Sequence, residues 1–160
     1  MDPPFLFKSV MADPQLSVSV LSVELTMDSA PSALSLVLDQ LMFVIRKSHC
    51  VNGEERDVEI AIREALDNAI HHGNRRDPSK RIHIRCRCET RREVLLVIRD
   101  EGQGFDPSEV VYPAISVNGK DLSQRGLNLM RQYMDEVHFE RAGTEVHMWK
   151  RCKIAHGNFS

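Results

Sequence analysis

The hydrophobic positions in the first third of the chain follow two periods. From Leu16 to Thr26, apolar residues occupy alternate positions with one slip, which predicts a half-buried strand. Beyond this segment they recur every three or four positions, as on one face of a helix, and the pattern stops at Gly53. Asp28 and Ser29 are expected to cap this helix, and Pro31 suits its first turn. The buried stripe of the helix consists of Leu34, Leu38, Leu41 and Ile45.

The middle of the chain predicts a second helix followed by two strands. The helix should start near Glu54 and leave Glu64 and Asn68 on its flank. Its buried positions are Val58, Ile62, Ala65, Leu66 and Ala69. Alternation from Ile82 to Cys88 predicts a strand with one solvated face, where Arg85 and Arg87 point to water. The unbroken apolar run from Val94 to Ile98 predicts a buried central strand.

The last third of the chain predicts a third helix and a hairpin. Apolar residues at helical spacing mark this helix at Leu127, Met130 and Met134. Residues 137–140 and 144–150 are expected to pair about Ala142 and Gly143, with Val146 and Met148 facing inward. Strands in one layer and helices in the other make a two-layer α+β sandwich.

Composition limits the classes of function. The chain has 160 residues, 42% hydrophobic and 28% charged, which suits one core and is too short for two comfortable domains. The net charge of −2 argues against general nucleic-acid binding, because phosphate backbones are met by strongly basic faces. No apolar run is long enough to span a bilayer, and Phe5–Phe7 lacks the basic segment of a signal peptide, so we expect a cytoplasmic protein. The cysteines are expected to be reduced thiols: Cys50, Cys86, Cys88 and Cys152.

Two short segments predict the walls of a nucleotide site. Glu64 and Asn68 lie four positions apart on the second helix and therefore share a face. A carboxylate beside a carboxamide suits the activation of water or a hydroxyl group next to a metal. Asp100, Gly102 and Gly104 follow the predicted central strand, and glycine lets the backbone come close to a flat ligand.

With these motifs the chain resembles the GHKL (Bergerat-fold) ATPases, and within them the small anti-sigma factor serine kinases of bacterial stress and sporulation switches. The resemblance spans roughly residues 16–150 and rests on several motifs that occur in order. They are E-A-L-x-N-A-I-x-H-G from Glu64, D-E-G-x-G-F-D from Asp100, R-G-L-x-L-M from Arg125, M-D-E-V from Met134 and G-T-E-V from Gly143. The resemblance implies a mixed, mostly antiparallel sheet with three main helices on one face, and it implies that the site binds ATP and Mg²⁺.

The resemblance also implies a role for each motif residue. Glu64 matches the general base that takes a proton from an attacking serine hydroxyl or water, and Asn68 matches the asparagine that holds the magnesium. Asp100 matches the carboxylate that binds the adenine amino group. The other matches are Gly102, Gly104 and Thr144 beside the adenine, and Arg125 and Gly126 beside the phosphates, where they are expected to begin the third helix. For His71 and His72, a structural and a catalytic role both stay open.

The segment between Phe105 and Arg125 matches the ATP lid of the family, and a loop this long inside a domain is usually functional or disordered. The chain departs from the family here, because Gln124 precedes Arg125 and Gly126 where Gly-x-Gly is common. Glutamine resists positive φ, so we expect a stiffer lid or a more open phosphate cradle. The Arg125 guanidinium is expected to compensate by binding a phosphate oxygen.

Two functions are compatible with these residues. The first is an ATP-dependent serine/threonine protein kinase that phosphorylates a serine of an anti-anti-sigma (STAS-domain) partner and so controls the sequestration of a sigma factor. The alternative is a nucleotide-gated binding module that holds a sigma factor or another regulator with little or no transfer. The presence of Glu64 favours the kinase.

The resemblance further implies a homodimer, for which the solvated sheet face and the strand 16–26 offer a surface. Residues 1–15 are expected to form a loose leader, residues 16–151 the kinase domain and residues 152–160 a short tail. Met11 is an alternative start of the chain.

Overall fold

The fold is described by a computed structural model for residues 5–6, 19–105 and 122–153, with side chains for 19–105 and 125–153. The strands are β1 (Phe5–Leu6), β2 (Val20–Asp28), β3 (Arg81–Glu89), β4 (Glu93–Asp100), β5 (Glu136–Glu140) and β6 (Glu145–Arg151). They form one sheet in the order β1-β2-β3-β4-β6-β5, and the five pairings within it are all antiparallel. The helices are α1 (Pro31–Ser48), α2 (Glu55–Asn68) and α3 (Leu122–Tyr133).

The helices pack on one face of the sheet, as the alternation of the strands predicts. Inward positions of β2, β3, β4 and β6 are buried, while α1 packs against β2 and β3, α2 against β4, and α3 against α2 and β5. The largest fully buried side chains include Leu41, Ile45, Ile62, Leu66, Ile84, Leu96, Ile98 and Met148. The predicted α+β two-layer sandwich is therefore confirmed, with β4 in the interior of the sheet.

The predicted cap of α1 is wrong. Ala30 is the N-cap residue of α1 and makes no side-chain cap hydrogen bond, whereas Pro31 occupies the first turn as expected. Asp28 is the last residue of β2, and Ser29 lies at a bend directly after it, where its amide donates to the Lys80 carbonyl at 3.1 Å beside the pairing of β2 with β3. Strand pairing has thus taken the residues that would have capped the helix. Residues 16–18 of the predicted first strand lie outside the described residues.

Three cysteines form a buried thiol cluster under α1: Cys50, Cys86 and Cys88. The Sγ atoms of Cys86 and Cys88 are 3.7 Å apart on adjacent inward positions of β3. A hydrogen bond with the Cys88 thiol, together with burial, raises the pKa of Cys50. All described cysteines are free, and these three pack as small apolar groups, as predicted, whereas Cys152 is partly exposed.

The opposite face of the sheet is polar. Arg85 and Arg87 are exposed on it, as predicted. Glu145 is only 5% exposed, but its carboxylate accepts a 2.7 Å hydrogen bond from His147 Nε2 and pairs with Arg141 Nε at 3.3 Å. The hydrogen bond and the ion pair therefore compensate for the burial of the Glu145 carboxylate.

Within residues 19–105 and 122–153, none of the helices combines the length and the apolar character that crossing a membrane requires.

Candidate functional site

The candidate site lies where α2 ends, β4 ends and the turn between β5 and β6 meets them. Helix α2 continues directly into a five-residue π-helical turn, Ala69–Gly73. This turn is wider than an α-helical turn because its hydrogen bond spans five residues: the Asn74 amide donates to the Ala69 carbonyl at 2.8 Å. Such π turns are rare in proteins, and those that occur are often found at functional sites.

Two cavities adjoin at this end of the molecule. The Asp100 cavity has a volume of about 370 Å³, and its walls combine apolar side chains with a few polar groups. Its apolar wall is formed by Ile98, Leu127, Met130, Phe139 and Val146. The Glu64 cavity has a volume of about 480 Å³ and is lined mainly by charged and polar side chains. Asn68 and His72 line both cavities, so one elongated ligand with an apolar and a polar end fits across them.

Asp100 can pack closely against the π turn because Gly73 and Gly102 have no side chains. A Cβ atom on Gly73 would lie 2.3 Å from Asp100 Cγ, and a Cβ atom on Gly102 would lie 2.0 Å from the Gly73 carbonyl oxygen. Burial raises the pKa of Asp100, while the Gly102 amide, which donates to Oδ1 at 2.8 Å, opposes the rise. Gly102 thus permits close packing within the protein itself.

The turn between β5 and β6 closes the cavity on the other side. The Asp100 amide donates to the Thr144 carbonyl at 2.9 Å, and the Thr144 hydroxyl donates to the Arg141 carbonyl at 2.9 Å. Gly104 has a φ of +79°, and a Cβ atom there would lie 2.0 Å from the Ala142 carbonyl oxygen. Asp100, Gly104 and Thr144 therefore line one cavity, as the motifs predicted they would.

Phe105 forms an exposed edge of the same cavity. Its ring meets the Phe139 ring edge to face, with centroids 5.3 Å apart. The residues that follow Phe105, up to position 121, lie outside the described residues, and with them lies most of the predicted lid.

Glu64 and Asn68 lie side by side beneath α3. A Cβ atom on Gly126 would be 3.1 Å from Glu64 Oε2 and 3.2 Å from Asn68 Oδ1, so only a small residue fits there without displacing them. Burial, followed by the Asp67 carboxylate, raises the pKa of Glu64, whereas Arg125 and Arg63 act in the opposite direction. Glu64 and Arg125 line the same cavity.

The prediction that Arg125 and Gly126 begin the third helix is wrong. Helix α3 begins at Leu122, so Arg125 is the fourth residue of the helix and Gly126 the fifth. Only the first four N–H groups of a helix are free of intrahelical partners, and the amide of Gly126, the fifth residue, is not among them. Arg125 reaches the Glu64 cavity through its side chain, and Gly126 contributes its small size. The side chain of Gln124 lies outside the described side chains.

The two histidines of the π turn have different surroundings. His72 lines both cavities, and burial, His71 and Arg76 lower its pKa, which favours the neutral ring. His71 Nδ1 accepts a 2.8 Å hydrogen bond from Arg76 Nε, while His71 Nε2 lies 3.9 Å from Asp67 Oδ1. His71 is thus engaged within the protein, and His72 faces the cavities.

Asn74 is a structural residue of the site that motif analysis missed. It is 1% exposed, its Nδ2 donates to the Arg81 carbonyl at 3.0 Å, and its Oδ1 accepts from the Glu101 amide at 2.8 Å. These bonds tie the end of the π turn to the start of β3 and the end of β4. Asn74 and Glu101 are 27 positions apart, so local sequence offers no sign of the contact beyond an asparagine after Gly73.

Comparison with known proteins identifies a family to which the chain is similar. Residues 27–150 match the family described as histidine kinase-like ATPase domain. The serine-protein kinase RsbW of Bacillus subtilis (strain 168) is 29% identical over 136 residues, which are 80% of this chain and 84% of that protein. An anti-sigma F factor of Bacillus cytotoxicus is 33% identical over 102 residues, which are 61% of this chain and 69% of that protein.

A further relative is similar over a shorter stretch. The serine/threonine-protein kinase BtrW of Bordetella bronchiseptica is 35% identical over 80 residues, which are 49% of this chain and 56% of that protein. The chain thus spans little more than half the length of this relative. The family match, by contrast, contains every residue that lines the two cavities. As the motifs predicted, the chain belongs to the histidine kinase-like ATPase domain family.

Proposed function

We propose that the protein is an ATP-dependent serine/threonine protein kinase of the anti-sigma type. It transfers the γ-phosphoryl group of ATP to a serine of an anti-anti-sigma (STAS-domain) partner and thereby controls the sequestration of a sigma factor. The carrying observation is that Glu64 and Asn68 lie side by side in a polar cavity that adjoins the Asp100 cavity. Relatives named as serine kinases and as anti-sigma F factors support the proposal.

The Asp100 cavity is suited to the adenine base. Its apolar side chains cover a flat ring, and the Asp100 carboxylate accepts a hydrogen bond from the exocyclic amino group. Thr144 supplies a hydroxyl oxygen on the opposite wall. The phosphate chain then passes Asn68 and His72, which line both cavities, and ends beside Glu64.

The residues present fit a magnesium ion. Asn68 lines the polar cavity and offers an amide oxygen, and Mg²⁺ usually needs only one or two protein oxygens alongside those of the substrate phosphates. Asn68 would hold the ion. When bound, Mg²⁺ neutralises charge on the phosphates.

Glu64 acts as the general base. Its pKa lies above the usual value because the carboxyl group is partly buried and next to Asp67, which makes the carboxylate a better proton acceptor near neutral pH. It takes the proton of the serine hydroxyl as that oxygen attacks the γ-phosphorus, and the bond from the γ-phosphorus to the bridging oxygen breaks, so that ADP leaves. Arg125 lines the same cavity and adds positive charge beside the transferred group.

One observation favours the alternative, a nucleotide-gated binding module with little or no transfer. Helix α3 lies directly over Glu64, close enough that even a methyl group on Gly126 would crowd the carboxylate. This arrangement narrows the path by which a partner serine would reach the base. In the alternative, nucleotide binding serves only to set the conformation that holds the partner.

The test combines nucleotide binding with phosphoryl transfer to STAS-domain proteins of the same genome. Glu64→Gln is expected to keep ATP affinity and to lower transfer by about 10²-fold or more, the usual contribution of a general base. Glu59→Gln, on the same helix but paired with Arg46 and Arg63, is the matched control and should leave both unchanged. Normal transfer by Glu64→Gln would refute the base. Intact ATP binding without phosphoserine on any STAS partner would support the binding module.

The proposal places the protein in the cytoplasm and includes a homodimer that uses the polar face of the sheet and the strand 16–26. Sedimentation equilibrium of the full chain tests the dimer, and a monomer at micromolar concentration would refute it. The division into a leader (1–15), a kinase domain (16–151) and a tail (152–160) stays a prediction.

A further inference from the structure

The loop after the π turn holds two consecutive arginines in the left-handed region. Arg75 has a φ of +52° and Arg76 a φ of +60°, a conformation that costs free energy for a residue with a Cβ atom. Neighbouring contacts impose it: the Arg76 amide donates to the Ile70 carbonyl at 2.8 Å, and Asn74 is anchored to both adjacent strands. Strain of this kind, held in place by the surrounding fold, is concentrated at functional sites.

The backbone places the Arg76 side chain in the Glu64 cavity. There its Nε donates to His71 Nδ1 at 2.8 Å, so the guanidinium is fixed through one nitrogen while its two terminal amino groups stay available. No carboxylate among the described residues forms an ion pair with Arg76. An arginine that is oriented but not neutralised suits an anion, and its planar fork matches phosphate geometry.

The position of Arg76 indicates which part of a nucleotide it meets. Asp100 marks the base end, and Asn68 and His72 mark the boundary between the cavities. Arg76 lies beyond that boundary and shares the Glu64 cavity with Arg125, which belongs to α3. The two guanidinium groups thus belong to different elements of the same polar cavity.

We propose that Arg76, oriented by His71, binds the terminal phosphate of ATP and favours ATP over ADP. Arg76 contacts the substrate, and His71 is a positioning residue that acts through it. The inference rests on the proposed binding of ATP across the two cavities. It assigns to the loop between α2 and β3 a part of the phosphate contact that the family motifs do not include.

Arg91 provides a matched control. It is an exposed arginine with a φ of +58° in the turn between β3 and β4, at the end of these strands remote from the cavities. Its amide donates to the His49 carbonyl at 3.0 Å. Replacing Arg91 therefore reproduces the change in charge and in left-handed strain without touching the site.

The experiment is calorimetric titration of the full chain with Mg-ATP and with Mg-ADP. The variants are Arg76→Asn, Arg91→Asn and Arg76→Lys, since asparagine tolerates the left-handed region and lysine keeps the charge without the fork. Arg76→Asn is expected to weaken ATP about tenfold or more and ADP less than about threefold, as a lost charge-assisted contact to the terminal phosphate implies. Arg76→Lys should recover part of the ATP affinity, and Arg91→Asn should match the wild type for both ligands.

His71→Ala tests the positioning role. It should weaken ATP in the wild-type background and add no further loss in the Arg76→Asn background, because His71 acts through Arg76. Equal effects of Arg76→Asn on ATP and ADP, or none on either, would overturn the inference while leaving nucleotide binding intact. A wild-type protein that binds neither nucleotide would instead refute the proposed ATP site itself.

Discussion

A methyl group at position 102 would collide with the backbone of the π turn. The Cβ atom of Gly102→Ala would lie 2.0 Å from the Gly73 carbonyl oxygen and 2.6 Å from its carbon, whereas ordinary van der Waals contact begins at 3.4 Å. The obstacle is backbone, so no side-chain rotation relieves it. The π turn and the end of β4 must therefore separate by more than 1 Å, and close-packed interiors transmit such shifts to their neighbours.

The neighbour that moves is Asp100, which is packed against Gly73 and hydrogen-bonded to the Gly102 amide. A displaced Asp100 loses its hydrogen bond to the base, and a hydrogen bond to a charged group contributes about 1.5–3 kcal/mol, so we expect ATP affinity to fall by about tenfold to 10²-fold. The overpacking itself should cost about 1–3 kcal/mol of unfolding free energy. In a domain of this size each kcal/mol lowers Tm by about 2–4 °C.

The assay pairs calorimetric ATP titration with thermal unfolding in the absence of ligand. Gly53→Ala is the control, because Gly53 has a φ of +81° but nothing within 4 Å of a Cβ atom. It should lose about 1 kcal/mol through left-handed strain and keep its ATP affinity. If Gly102→Ala binds ATP as tightly as the wild type, the packing of Gly73 against Gly102 is not what positions Asp100.

Three further predictions follow from buried polar groups and thiols. Because burial raises the pKa of Asp100, the folded chain binds this proton more tightly than the unfolded chain, and stability falls as pH rises from the ordinary value of 3.8 through the raised pKa. Asp100→Asn should thus raise Tm at pH 7 while weakening ATP binding, and an unchanged Tm would contradict the upward direction of the Asp100 pKa shift. Asn74→Ala should lower the unfolding free energy in urea by about 1–3 kcal/mol, because it leaves the carbonyl of Arg81 and the amide of Glu101 without a partner. The exposed Asn52→Ala is its control, and equal losses in the two variants would argue against the role of Asn74. Iodoacetamide should label the partly exposed Cys152 in the native protein and the buried thiol cluster only after unfolding, so native labelling of the cluster would show that it opens.

The sequence determined the elements of the fold because each carries its own period. The stripe of α1 and the alternation of β3 specify the buried face without reference to any other element. The apolar run of β4 likewise indicates a buried central strand, and β4 lies in the interior of the sheet between β3 and β6. Glu64 and Asn68 share a helix face through spacing alone, so their proximity also follows from sequence.

The ends of the helices and strands could not be predicted in this way, because contacts with residues distant in the sequence determine them. Ser29 is drawn into the pairing of β2 with β3 and is no longer the cap of α1. Helix α3 begins three residues before Arg125, so Arg125 does not open the helix as predicted, and it lines the Glu64 cavity. A local pattern states a preference, and a long-range hydrogen bond or contact can outweigh it.

Tertiary structure alone brought the remaining parts of the site together. The sequence by itself determined that the chain has an acidic and an amide side chain on one helix and a glycine-rich strand end. Folding decided that Gly73 packs on Asp100, that Asn74 joins two strands, and that Arg76 reaches the Glu64 cavity through a left-handed turn. These contacts join residues that are distant in the chain, or require backbone conformations that the residue types do not predict. These contacts contribute free energy only after the sheet and the helices have packed together.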